Sequence, residues 1–163
     1  MPKKMSRWGV GPRILGAALA YAILAGAATH LFPGYFLVRI VPNYVFTVVG
    51  IALLCVGVPM LAVAARAGMR AYNRGQLATS GIYGFVRNPM YSAWLLFVIP
   101  GLVVLTRSWP LFVTPFFAYA AFKLLIPREY EYLQQKFGDT YADYASQVNE
   151  ILPWRRIRQV RKP

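Results

Sequence analysis

Residues 44–65 read YVFTVVGIALLCVGVPMLAVAA, twenty-two positions without a charge. At 1.5 Å per residue such a helix extends about 33 Å and crosses a hydrocarbon core of about 30 Å. Residues 14–32 form a second uncharged run, long enough for a helix of about 28 Å. Residues 91–105 are a shorter apolar run, and residues 109–126 follow almost at once with Lys123 as their one charge. The tight TRSWP break at 106–110 makes these last two spans a helical hairpin. Pro59, Pro100 and Pro115 fall within or near span ends, where a membrane bundle tolerates a kink. The expected fold is all-α: an integral membrane helical bundle of about four transmembrane helices, with a C-terminal cytoplasmic or interfacial helix. Residues 1–163 make one domain by length.

Composition supports that reading. The chain is 58% hydrophobic and 14% charged, too apolar for an ordinary soluble domain of this size. Its five acids, Glu129, Glu131, Asp139, Asp143 and Glu150, all lie in one stretch near the C-terminus. Eighteen Lys and Arg give a net charge of +13. In a soluble protein this excess would point to nucleic acid; interleaved with apolar runs, it points to anionic lipid, and no nucleic-acid partner is expected. Of those eighteen, only Arg39 and Arg107 fall in the loops after the first and third spans. By the positive-inside rule both termini and the middle loop are cytoplasmic. Trp8, Tyr35, Tyr44 and Trp109 sit where interfacial anchors do. Lys3, Lys4, Arg7 and Arg13 before the first span also fit a signal peptide, but the apolar run is long for one and three more spans follow, so a retained helix is expected. Cys55, the single cysteine, reads as a small core residue, and His30 has no companions that would make a metal site. Richness in Ala, Gly and Arg, with no organelle signal, suggests a prokaryotic inner membrane.

The tail changes character. Residues 127–136 read as a short helix stopped by Gly138, and Asp139 can cap a second helix through about Val148. Leu133, Phe137, Tyr141, Tyr144 and Val148 form apolar stripes at helical spacing, so the tail packs on the bundle or lies in the interface. Residues 155–162 are a basic end suited to anionic lipid or to solvent.

Irregular backbone and carboxylates are too costly to leave in lipid, so a site belongs where residues 66–91 meet the tail. Gly81 and Gly84 permit tight turns, and Pro89 opens the third span. Arg87 beside that helix N-terminus suits an anionic group, and Asn88 can donate and accept hydrogen bonds. An Arg-Asn-Pro cap at a membrane interface is the bland reading of the same residues.

Two stretches resemble a known family. Gly75-Gln76-Leu77-Ala78-Thr79-Ser80-Gly81-Ile82-Tyr83, then Arg87-Asn88-Pro89-Met90-Tyr91, is similar to the cofactor motif of the isoprenylcysteine carboxyl methyltransferase and phospholipid methyltransferase superfamily. Glu129, Leu133, Phe137-Gly138, Tyr141, Tyr144 and Pro153 follow in the family's order, so the resemblance covers roughly residues 66–153. It implies an S-adenosylmethionine-dependent membrane methyltransferase acting on a lipophilic acceptor, an isoprenylcysteine-like carboxylate or a lipid. A phospholipid N-methyltransferase, or a non-catalytic membrane scaffold retaining the fold, are the alternatives. Carried over residue by residue, it implies a cofactor pocket lined by Gly75, Gln76, Leu77, Ala78, Tyr83, Asn88, Pro89, Met90, Tyr91 and Glu129, in segments 66–91 and 127–153. Within it, Glu129 would accept hydrogen bonds from ribose hydroxyls or an ammonium. Asn88 and the loop backbone would hold adenine or a carboxylate, and the faces of Tyr83 and Tyr91 would favour a sulfonium. Arg87, Asn88 and Tyr91 are the candidate catalytic residues, Arg87 pairing with an anionic head group or the cofactor carboxylate. No metal is implied.

The chain departs from the family pattern in four places. Asn88 replaces a histidine and cannot titrate, which argues against a general base there. Tyr130 replaces the second of two paired glutamates, with Glu131 one residue on. Gly75 stands where a histidine often opens the first motif. Leu125 replaces an arginine expected to bind a prenylcysteine carboxylate, leaving Lys123 as the nearest cation.

Overall fold

The computed structural model describes residues 9–153. The basic residues Lys3, Lys4, Arg7 and those of 155–162, and the anchor Trp8, lie outside the described residues. Four long apolar helices form the bundle: α1 (Gly11–Leu31), α2 (Asn43–Asn73), α3 (Pro89–Thr106) and α4 (Thr114–Phe137), followed by α5 (Asp139–Gln147). No strand occurs among the described residues. The protein is an all-α integral membrane bundle.

Helix α2 packs along α3, and α1 along α4. The α2–α3 seam is made by glycines: a Cβ on Gly57 would lie 2.6 Å from Phe97 Cβ, and one on Gly101 would lie 3.1 Å from the Gly50 carbonyl. Small residues let backbones approach closely where lipid supplies no hydrophobic drive between helices. The buried core joins Ile14 and Ala18 of α1, Leu95 and Ile99 of α3, and Phe122 and Ile126 of α4. Ile23, Leu24, Phe116 and Leu124 are left on the outside, as lipid-facing side chains should be. Cys55 joins them: it is exposed on α2 rather than a core residue, because the glycine face of that helix makes the packing contacts.

Three boundaries differ from the sequence reading. Helix α2 does not end at residue 65 but runs to Asn73, so residues 66–73 of the expected loop are helical. The charges that end a hydropathy window do not end a hydrogen-bond ladder, and 31 residues extend about 46 Å, well past the hydrocarbon. Helix α4 likewise runs through Pro127 without the expected break. Proline removes one N–H, a loss an otherwise intact helix absorbs as a bend. Finally, Asp139 does not cap α5: Gly138, at φ 54°, is the N-cap residue, and Asp139 lies in the first turn, where its charge favours the helix dipole.

Pro100 cannot donate to the carbonyl four residues back, and α3 carries a π turn over Trp94–Val98 just before it. At the hairpin end, Arg107 adopts a left-handed φ of 55° and donates to Asn43 Oδ1. A single helical turn, Pro33–Phe36, is stapled there: Trp109 Nε1 donates to the Tyr35 carbonyl at 3.1 Å, and Val38 N–H to the Arg107 carbonyl at 2.8 Å. Tyr35, Tyr44 and Trp109 are all exposed at this end. The opposite, basic end gathers the start of α1, residues 74–88 and the tail.

Candidate functional site

At the basic end three segments distant in sequence meet. Residues 148–151 run alongside residues 86–88: Arg87 N–H donates to the Asn149 carbonyl at 2.7 Å, and Asn88 N–H to the Glu150 carbonyl at 3.1 Å. Ser92 Oγ reaches the Ile151 carbonyl at 2.7 Å. This short parallel pairing closes the loop against the tail. Helix α4 then returns Glu129 to the start of α3, where Tyr91 Oη donates to Glu129 Oε2 at 2.8 Å. From the other side the Val10 N–H donates to the same oxygen at 3.2 Å.

These elements line a partly open cavity of about 570 Å³, within the range of about 300–1,000 Å³ found for small-molecule sites. Gln76, Leu77, Ala78, Tyr83, Arg87, Asn88, Pro89, Met90, Tyr91 and Glu129 all line it. Gly75 does not: it turns the chain at φ 64°, with open space around its Cα, between α2 and the lining residues. The wall from α4 repeats at helical spacing, through Glu129, Tyr132, Leu133, Lys136 and Phe137. Most of the apolar stripe expected in the tail faces this cavity: Leu133, Phe137, Tyr141 and Tyr144 line it, and Val148 does not. Deeper in the bundle the lining becomes apolar, through Leu15, Leu61, Trp94, Leu95 and Ile99.

Asn88 is buried and its amide is engaged: Nδ2 donates to Tyr130 Oη at 2.6 Å and to the Glu150 carbonyl at 3.1 Å. Tyr130 Oη donates in turn to Glu150 Oε1 at 3.0 Å, and Lys123 Nζ meets Glu150 Oε2 at 2.7 Å. Lys123, the nearest cation to the missing family arginine, is thus tied to Glu150 and is not in the cavity wall. The Arg87 guanidinium lies 5.0 Å from the Tyr130 ring centroid. Arg87 Nε and Tyr141 Oη are buried without a hydrogen-bond partner among the described residues.

The phenols of the loop and tail are held neutral. Burial, with the Glu129 charge second, pushes Tyr83 up to about 12. Burial also raises Tyr144 and Tyr141, while Arg87 pulls both the other way. Tyr144 Oη donates to the Tyr83 carbonyl at 2.7 Å, and Tyr83 Oη to the Ala64 carbonyl at 3.3 Å. These tyrosines join loop, tail and α2 by hydrogen bonds that need the neutral form.

The sequence reading missed Tyr130, Tyr141 and Tyr144 as wall residues and missed the N-terminal turn altogether. The helical spacing from Glu129 onward was a usable signal for the α4 wall. Nothing local in Gly9-Val10-Gly11-Pro12 points to a carboxylate 119 residues away.

A profile of the Phospholipid methyltransferase family matches residues 45–140. Among curated proteins, the chain is 30% identical over 86 residues to Protein-S-isoprenylcysteine O-methyltransferase B of Arabidopsis thaliana, covering 53% of this chain and 44% of that protein. It is 31% identical over 77 residues to Protein-S-isoprenylcysteine O-methyltransferase of Dictyostelium discoideum, covering 47% and 32%. A probable protein-S-isoprenylcysteine O-methyltransferase of Oryza sativa subsp. indica is 32% identical over 79 residues, covering 48% and 41%. The matched stretch therefore spans less than half the length of these relatives. No solved structure matches. With the loop, the α4 face and the cavity between them all falling largely within the matched residues, the chain belongs to the phospholipid methyltransferase family.

Proposed function

We propose that this protein is an S-adenosylmethionine-dependent membrane methyltransferase that methylates a lipophilic acceptor, an isoprenylcysteine-like carboxylate or a lipid head group. The observation that carries the reading is the two-part cavity. Its basic-end half is lined by Arg87, Asn88, Glu129 and tyrosines, and its inner half by Leu61, Trp94, Leu95 and Ile99. A water-soluble donor and an apolar acceptor require such a pair of environments side by side. The charge bias of the loops supports a polar half on the cytoplasmic side.

The residues present fit the donor. S-adenosylmethionine supplies an electrophilic methyl group on a sulfonium. Glu129 keeps Oε1 without a partner among the described residues, available to an ammonium or to ribose hydroxyls. Arg87, in the cavity wall, brings a positive charge that suits an anionic group such as a carboxylate. The rings of Tyr83 and Tyr91 offer faces that attract a cation. Leu77, Ala78, Met90 and Leu133 give the wall apolar surface, and a dry, positioned environment is what an in-line displacement asks of the protein. Asn88 holds the tail through its amide and takes no proton.

Calorimetry of S-adenosylhomocysteine with the detergent-purified chain tests the reading. Binding is expected, weakened about tenfold or more by Glu129→Gln, since hydrogen bonds to charged groups contribute about 1.5–3 kcal/mol. Absence of binding would leave the scaffold alternative. Transfer of labelled methyl into a lipid extract then identifies the acceptor.

A further inference from the structure

The start of α1 lies outside residues 45–140, the stretch that matches the family, yet it touches the carboxylate on which the donor site depends. Both protein donors to Glu129, the Val10 N–H and Tyr91 Oη, converge on Oε2. Oε1 receives none among the described residues. Gly9 sits against the same carboxylate: a Cβ there would collide with Glu129 Oε2 and fall 2.8 Å from Cδ and 3.0 Å from Oε1. Gly9 also has φ +57°, a conformation that costs other L-residues energy. Backbone and absent side chain thus act together. The turn brings an N–H to Oε2, and the missing Cβ leaves the space that this oxygen and the rest of the carboxylate occupy.

We propose that the Gly9–Val10 turn is a positioning element of the donor site, pinning Glu129 Oε2 so that Oε1 is presented to a hydrogen-bond donor of the bound S-adenosyl ligand, its ammonium or its ribose. This rests on the methyltransferase reading above. The element acts through Glu129 and is not itself catalytic. A side chain at residue 9 meets only the far end of a flexible glutamate, so the chain folds and the carboxylate swings aside. Loss of the anchor leaves Glu129 among several rotamers, and each ligand then has to order it again.

The test is a double-mutant cycle read by S-adenosylhomocysteine calorimetry on the full chain in detergent, with thermal unfolding confirming that each variant is folded. Gly9→Ala adds both strain and a Cβ. Gly9→Asn adds the Cβ in a residue that tolerates the left-handed conformation. Each is expected to weaken binding about tenfold in the native background and by less than about twofold when combined with Glu129→Gln. Methylthioadenosine, which keeps the ribose and lacks the amino acid, identifies the group held: a penalty seen only with S-adenosylhomocysteine assigns Oε1 to the ammonium, and one seen with both assigns it to the ribose. Native affinity in both Gly9 variants, or equal losses with and without Glu129, would overturn the inference while leaving the methyltransferase reading standing. If the unmodified chain fails to bind either ligand, both fall.

Discussion

The α2–α3 seam and the loop–tail layer are held together by opposite means. In the seam, Gly50, Gly57 and Gly101 remove side chains so that two backbones touch, and the polar contact of Arg107 with Asn43 lies only at its far end. In the layer, Asn88, Ser92, Tyr130, Tyr144 and Glu150 join segments about 20 to 60 residues apart through hydrogen bonds. The contrast follows from solvent. Lipid offers helices no hydrophobic reason to associate, so dispersion at close range must do so. At the basic end, exposed loops must satisfy backbone polar groups, and side-chain amides and phenols do that while fixing the register of a cavity wall. The seam therefore supplies stability, and the layer supplies shape.

If that division is right, the largest stability loss comes from the seam. Gly57→Val places methyl groups where Phe97 and the Val98 backbone already stand, 2.6 Å and 3.1 Å from the added Cβ. Backbone cannot yield as a side-chain tip can. The expected cost is about 3 kcal/mol, the upper part of the range for overpacking, seen as a lowered unfolding midpoint in micelles. A Gly57→Val protein as stable as the original would mean the two helices are not held by close approach. Gly26, on α1 with nothing within 4 Å of its would-be Cβ, is the matched control: Gly26→Ala is expected to be neutral or slightly stabilising.

The layer comes next. Asn88→Ala removes two side-chain hydrogen bonds and leaves the Tyr130 hydroxyl with one partner fewer. About 2 kcal/mol is expected, from two hydrogen bonds at about 1 kcal/mol each. The effect has a location: residues 148–152 should become cleavable by added protease before the bundle unfolds. Unchanged tail protection would show that the backbone pairing of Arg87 and Asn88 with Asn149 and Glu150 suffices alone.

The helices of the seam were legible in the sequence, but not their pairing through glycines, and little of the layer was. Hydropathy finds runs such as residues 44–65 because every position in them obeys one rule. The same rule misplaced their ends: α2 continues to Asn73 and α4 through Pro127, since charge and proline mark a change of solvent, not the end of a helix. The loop motif and Glu129 could be named because residue types and order resemble a family. Their partners could not. The Val86–Asn149 pairing and the contact of Val10 with Glu129 depend on where helices of particular length deliver their ends, and no local pattern encodes that. Tyr130 illustrates the difference. In sequence it is a missing glutamate; in the fold it receives Asn88 and donates to Glu150, so the carboxylate arrives from the tail instead.

A smaller effect separates the two regions by pH. The seam has nothing to titrate, whereas Tyr83 in the layer has its pKa raised from 10.0 to about 12 by burial and by Glu129. The folded state thus holds its proton more tightly than the unfolded chain does. That stabilisation is complete below pH 10 and is lost as pH rises through 12. Tyr83→Phe should flatten this alkaline loss by about 1 kcal/mol, read as unfolding midpoints at pH 9 and 11. Tyr144 faces Tyr83 and retains its own raised value, so part of the alkaline slope should survive. Parallel slopes in the two proteins would remove Tyr83 as the origin.

The least expected effect is at the one ion pair among the described residues, Lys123 with Glu150 at 2.7 Å. The Lys123 side chain is 48% exposed, and exposed pairs contribute about 0–1 kcal/mol. Glu150 also accepts from Tyr130 Oη, and its backbone carbonyl takes both the N–H and the amide of Asn88. These contacts hold the tail with or without the lysine. Lys123→Met should therefore cost less than about 0.5 kcal/mol, and the difference should vanish in high salt as screening removes the Coulomb part. Glu150→Gln keeps the backbone contacts and weakens the Tyr130 bond, and should cost more than Lys123→Met. If the order reverses, charge rather than the hydrogen-bond ladder fixes the tail, and the layer would resemble a salt-dependent surface contact more than a built wall of the cavity.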